Sequence, residues 1–174
     1  MILNRQRTVR VARPPLEAFL ARVREQLRLN GAEITIALVS DPAIARMNET
    51  YRHKKGPTDV LSFPGDDRNT ASKQAHVGAQ DPCAPGPHDR SDSISDRRPR
   101  TKMRVTRESH SLGDIAISPA TARRNAKKFG RTLPSELQIL ILHGVLHLLG
   151  YDHETDNGQM TRIENRLRRK LGLQ

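Results

Sequence analysis

Hydrophobic positions recur along this chain in two rhythms. Leu16, Phe19, Leu20, Val23 and Leu27 return at intervals of three and four, between Pro14-Pro15 and Asn30-Gly31. That spacing predicts an amphipathic helix entered through prolines and stopped by a glycine. Ile34, Ile36 and Leu38 then alternate with Thr35, Ala37 and Val39, the period of a strand, and residues 7–12 and 60–63 read as two further strands. Asp41-Pro42, read as an N-cap followed by Pro at the first helical position, opens a short helix through Ala45 and Asn48. Residues 113–117 form another strand, and Ser118-Pro119 caps a helix that ends at Gly130. Residues 134–149 are apolar on nearly every side, which predicts a buried helix, and Met160, Ile163, Leu167 and Leu171 mark the packed face of a last one. Strands mixed with helices in this order predict an α+β fold, a small mixed sheet of about four strands with helices packed on it.

Both rhythms fail over residues 66–110. These 45 residues contain no Leu and no aromatic residue, and their only large aliphatics are Val77, Ile94 and Val105. Such a segment contributes little to a core and reads as a long, flexible or disordered insertion in a single domain over 1–174. The overall hydrophobic share of 35% and aromatic share of 3% are low largely because of it.

Composition narrows the function classes. The most apolar stretch, residues 137–149, is broken by Gln138, His143, Gly144 and His147 and is too short for a membrane span. The N-terminus lacks the apolar run of a secretory signal, so a cytoplasmic location is expected. With Cys83 as the sole cysteine, an internal disulfide is excluded and any metal must rest on His or carboxylate ligands. The net charge is +11, 23 of the 30 cations being Arg. The 66–110 segment holds nine Lys/Arg against seven Asp/Glu, so most of the excess lies outside it. A basic, Arg-rich surface points to polyanions, nucleic acid before an anionic membrane, although charge also serves solubility.

The chemistry-bearing pattern is at the end of the buried helix. His143 and His147 are four residues apart, so both imidazoles sit on one face a turn apart and can reach one ion. Gly150 stops the helix, and a turn through Tyr151 and Asp152 can bring His153 back to that face. An isolated H-x3-H pair is most often a hydrogen-bonded core pair. A third His beyond the helix-stopping Gly favours a cation, and three neutral nitrogens suit Zn²⁺ with one open position. The spacing H-x3-H-x2-G-x2-H is that of metzincin peptidases, but their general-base Glu is replaced by Gly144, which leaves proteolysis without its proton acceptor.

The run from His143 to His153 resembles the signature of the YbeY family of bacterial endoribonucleases, the rRNA maturation factors. Residues 48–64, which include Tyr51-Arg52-His53 and Thr58-Asp59-Val60-Leu61-Ser62-Phe63-Pro64, resemble that family's segment before its third strand. Residues 112–118, Leu-Gly-Asp-Ile-Ala-Ile-Ser, resemble its fourth. The resemblance extends over everything except the 66–110 segment, which departs from the family's short connection.

This resemblance implies an α+β fold with a metzincin-like zinc-binding helix and one zinc held by His143, His147 and His153. It implies cleavage of single-stranded RNA, with the ribosomal small subunit and its rRNA as partners, in maturation of the 3′ end of small-subunit (16S) rRNA and ribosome quality control. The family's functionally important Arg falls on Arg52, which on its residues alone would read as a surface cation. No membrane and no small-molecule cofactor are expected. Asp114 and Asp152 are the candidates for a carboxylate that orients a metal-bound imidazole, against the plainer readings of a turn-forming and a solvated Asp. His53, His76, His88 and His110 read as bystanders, and Cys83 as an exposed thiol. Arg123, Arg124, Lys127 and Lys128 on one helix and Arg162, Arg166, Arg168, Arg169 and Lys170 on another would grip phosphates. The alternatives are a non-catalytic ribosome-assembly factor with a structural zinc and, behind it, a metzincin-like peptidase.

Overall fold

The computed structural model describes residues 1–65, 110–152 and 156–173. Its elements follow in the order β1 (Ile2–Asn4), α1 (Arg13–Gln26), β2 (Ala32–Leu38), α2 (Asp41–Arg52), β3 (Val60–Pro64), β4 (His110–Ile117), α3 (Pro119–Lys128), α4 (Leu133–Leu148) and α5 (Gln159–Leu171). The four strands form one sheet in the order β1-β2-β4-β3. β1, β2 and β4 run parallel and β3 runs antiparallel to β4 along an edge, so the sheet is mixed and four-stranded as the alternation predicts.

The two faces of the sheet carry different cores. Ile34, Ile36 and Leu38 of β2 join Ile115 and Ile117 of β4 in the larger one, with Leu16, Phe19 and Val23 of α1 and most of α4. Leu61 of β3 and Ala116 of β4 point the other way and meet Ile44 and Met47 of α2. α4 packs on β3, β4, α1, α3 and α5. A helix enclosed on so many sides has no solvated face to mark with polar residues, which explains its nearly unbroken apolar sequence.

Three local readings are corrected. The strand expected over 7–12 is absent, and β1 is Ile2–Asn4, with Ile2 opposite Ile36. The reason is Gln6. Its side-chain amide accepts from the Val9 N–H (2.9 Å) and donates to the Val9 carbonyl (2.8 Å), which spends the groups a strand ladder would need. At α2 the N-cap is Ser40, and Asp41 and Pro42 are the first helical residues. β4 begins at His110, before the glycine that sequence suggested, so the last residue of the 66–110 segment belongs to the sheet. The rest of that segment, with His76, His88 and Cys83, lies outside the described residues.

Candidate metal centre

α4 fixes the first two histidines. Thr132 caps it by accepting from the Ser135 N–H (3.3 Å). At the far end the Gly150 N–H bonds the His147 carbonyl (2.9 Å) and the Tyr151 N–H bonds the Leu146 carbonyl (3.1 Å). With Gly150 at φ +86° this is a Schellman turn, which stops the helix at the glycine as the sequence predicted. Tyr151 packs on the larger core, and Asp152 beyond it is half-buried. His153 lies outside the described residues. The chain is anchored again at Asp156, whose carboxylate accepts from the Gly158 and Met160 N–H groups at the start of α5.

His143 and His147 are half-buried. Their rings meet edge to face with centroids 4.7 Å apart, and their Nε2 atoms are 3.1 Å apart. On its other side, His143 Nδ1 is 3.2 Å from Glu164 Oε2. A carboxylate only accepts, so this contact puts the proton of His143 on Nδ1 and its lone pair on Nε2. Two imidazole nitrogens at this separation suit a single Zn²⁺ bonded to each at about 2.0–2.1 Å, so the two described histidines are compatible with the expected ion, while among the described residues no third ligand joins them.

Glu164 was not legible as a site residue. It lies on α5 with 8% of its surface exposed, and its second oxygen accepts from Arg168 Nη2 at 2.6 Å. Burial raises the pKa of such a carboxyl, but the hydrogen bond from His143 and the charge of Arg168 outweigh it and hold Glu164 below its ordinary value. The sequence does carry one clue. Glu164 is four residues after Met160 and three before Leu167, on the buried stripe of its helix, where an acid needs a partner.

Two of the other expected residues, Asp114 and Arg52, stand apart from this pair. Asp114 is exposed on β4, opposite Phe63 of β3, and strand alternation puts it on the α2 face of the sheet, away from α4. Arg52 is the exposed last residue of α2, followed by His53 in the left-handed region (φ 55°). The neighbouring Tyr51 packs edge-on against Phe63 at 5.1 Å. On the opposite face of β3, the Ser62 hydroxyl donates to the Gly144 carbonyl at 3.3 Å. Edge strand β3 therefore separates Arg52, on the α2 side, from the histidines on the α4 side.

Gly144 has a packing reason. A Cβ there would come within 2.9 Å of Ile115 Cγ2 and 3.3 Å of the Ser62 hydroxyl, so the position is filled by the sheet and leaves no room for the carboxylate a peptidase would place there. A cleft of about 330 Å³ opens beside His143, lined also by Asp59, Phe129, Arg131, Glu136 and Arg168. Among the described residues no helix is long and apolar enough to cross a membrane.

A family model described as Endoribonuclease YbeY matches residues 1–172. The endoribonuclease YbeY of Solibacter usitatus is 36% identical over 161 residues, 92% of this chain and 80% of that protein. That of Koribacter versatilis is 33% identical over 173 residues, 99% of this chain and 86% of that protein. A solution structure of a Thermotoga maritima protein, 21% identical, superposes with a TM-score of 0.53 over 98% of this chain and 89% of that one, a likeness of fold.

Proposed function

The chain belongs to the endoribonuclease YbeY family, and from that premise we propose that it is a zinc-dependent endoribonuclease specific for single-stranded RNA. It acts in maturation of the 3′ end of small-subunit rRNA and in ribosome quality control, in the cytoplasm. The observation that carries the reading is the 3.1 Å between the Nε2 atoms of His143 and His147, with His143 Nδ1–H donating to the Glu164 carboxylate.

His143, His147 and His153 would hold the ion. When bound, zinc supplies an activated water at neutral pH and positive charge beside the phosphoryl oxygens. Glu164 keeps His143 in the tautomer that offers Nε2 and fixes its ring. Arg52, exposed at the end of α2 beside edge strand β3, would have to reach around that edge to bring its permanently charged, planar guanidinium to the phosphodiester oxygens. The exposed cations Arg123, Lys127 and Lys128 of α3 and Arg166, Arg169 and Lys170 of α5 would collect the backbone phosphates, and binding should weaken steeply with salt.

Cleavage of single-stranded RNA by the wild type, His147→Ala and Arg52→Ala, with and without chelator, tests this. Chelation and His147→Ala should abolish cleavage, and Arg52→Ala should slow it by about 10²–10³-fold. Cleavage unchanged in all three cases refutes the proposal. Metal-dependent RNA binding with no turnover under any condition would instead assign the ion to the fold and the protein to ribosome assembly.

A further inference from the structure

Three large hydrophobic side chains are exposed among the described residues: Met1, Tyr51 and Phe129. Met1 is terminal and Tyr51 leans on Phe63. Phe129 is different. It is the C-cap of α3, is 56% exposed, and carries two cations over its ring, Lys128 Nζ at 5.6 Å and the Arg131 guanidinium carbon at 5.2 Å from the centroid. It also lines the cleft that contains His143. The core gains little from a ring this exposed, and the turn that follows needs only Gly130 at φ +65°.

An exposed aromatic ring accompanied by cations is the combination that holds single-stranded nucleic acid, because every base has a face to stack and every linkage a charge to neutralise. Resting on the nuclease reading above, we propose that Phe129 is the stacking platform for one base of the RNA strand whose phosphodiester lies at the His143–His147 centre, with Lys128 and Arg131 on the adjoining phosphates. Arg131 is already held by the buried Glu136 at 3.1 Å, so its guanidinium is ordered before the strand arrives. Lys128, exposed on a flexible stem, leaves the ring for a phosphate as the base takes its place. The carboxylates in the cleft are already engaged, Glu136 by Arg131 and Asp59 by Asn125 Nδ2 at 3.0 Å, which lowers their repulsion of the backbone. A cleft of about 330 Å³ is at the small end of ligand pockets, about 300–1,000 Å³, the size of a single nucleotide. A paired base would have to leave its stack to enter, which makes this platform a source of single-strand preference.

The test measures affinity by fluorescence anisotropy for a short labelled single-stranded RNA with a cleavage-resistant phosphorothioate backbone, beside an abasic strand of equal length and charge. Phe129→Ala should bind the base-bearing strand about 5- to 150-fold more weakly and the abasic strand as the wild type does. Phe129→Trp should bind both normally. Wild-type affinity of Phe129→Ala for the base-bearing strand, or equal weakening on both strands, overturns the platform. A wild type that cleaves RNA while Phe129→Ala is indistinguishable from it overturns the platform alone. A wild type that shows the stacking pattern and never cleaves overturns the nuclease reading alone.

Discussion

Glu164 shows how much of this site depends on one buried charge. An ionised carboxylate with 8% exposure is tolerated because both oxygens are engaged, one by His143 and the other by Arg168. Removing the charge while keeping the shape should therefore affect the histidine more than the fold. Glu164→Gln should bind Zn²⁺ about 10- to 100-fold more weakly, measured by competition with a chromophoric chelator, and a wild-type zinc affinity would show that the carboxylate does not orient His143. The sequence revealed His143 and His147 because a four-residue interval on a helix is a contact in itself. It concealed the partnership with Glu164 because that contact joins two helices across 21 residues, and only the misplaced polarity on the α5 stripe hinted at it.

Between elements, Asp41 does similar work. Its carboxylate accepts from the Ser118 and Thr121 hydroxyls and pairs with Arg124 at 2.9 Å, which ties the first turn of α2 to the first turn of α3. Burial opposes the charged form, and the bonds from Ser118, Arg124 and Thr121 overcome it, so the Asp41 pKa is below its ordinary 3.8. A folded-state pKa lower than the unfolded one contributes stability above pH 3.8, and that stability is lost as the pH falls through the lower folded value. Asp41→Asn should cost about 1–2 kcal/mol near neutral pH, and its deficit should shrink below pH 3.8 in denaturant titrations across pH. A deficit that stays constant would show that the charge is not its source. Most helix boundaries were legible because Pro, Gly and Ser mark them locally, although the cap of α2 is Ser40, one residue before the expected Asp41. β1 was not, since three residues are too few to show a period, and Val9 and Val11 imitated the alternation that Ile2 completes by pairing with Ile36.

For the molecule as a whole, the sheet order is what local patterns could not supply. β3 and β4 are neighbours in the sheet but are separated in sequence by residues 66–109, and no periodicity reaches across that interval. The described ends of the interval nevertheless meet: the Gly65 N–H donates to the Leu112 carbonyl at 3.0 Å, so the chain leaves and re-enters the fold at the open end of an antiparallel pair. A four-residue turn could span it. Each halving of a connecting loop returns about 0.6 kcal/mol of closure entropy, so replacing residues 66–109 by such a turn should stabilise the protein by about 2 kcal/mol and raise the melting temperature by several degrees. Calorimetry of the shortened chain checks this, and a large fall in melting temperature would mean that these residues bury surface against the sheet. RNA cleavage by the same variant then separates two roles. Unchanged turnover leaves the histidine pair and cleft sufficient without this segment, and lost turnover in a stable variant assigns residues 66–109 to the substrate.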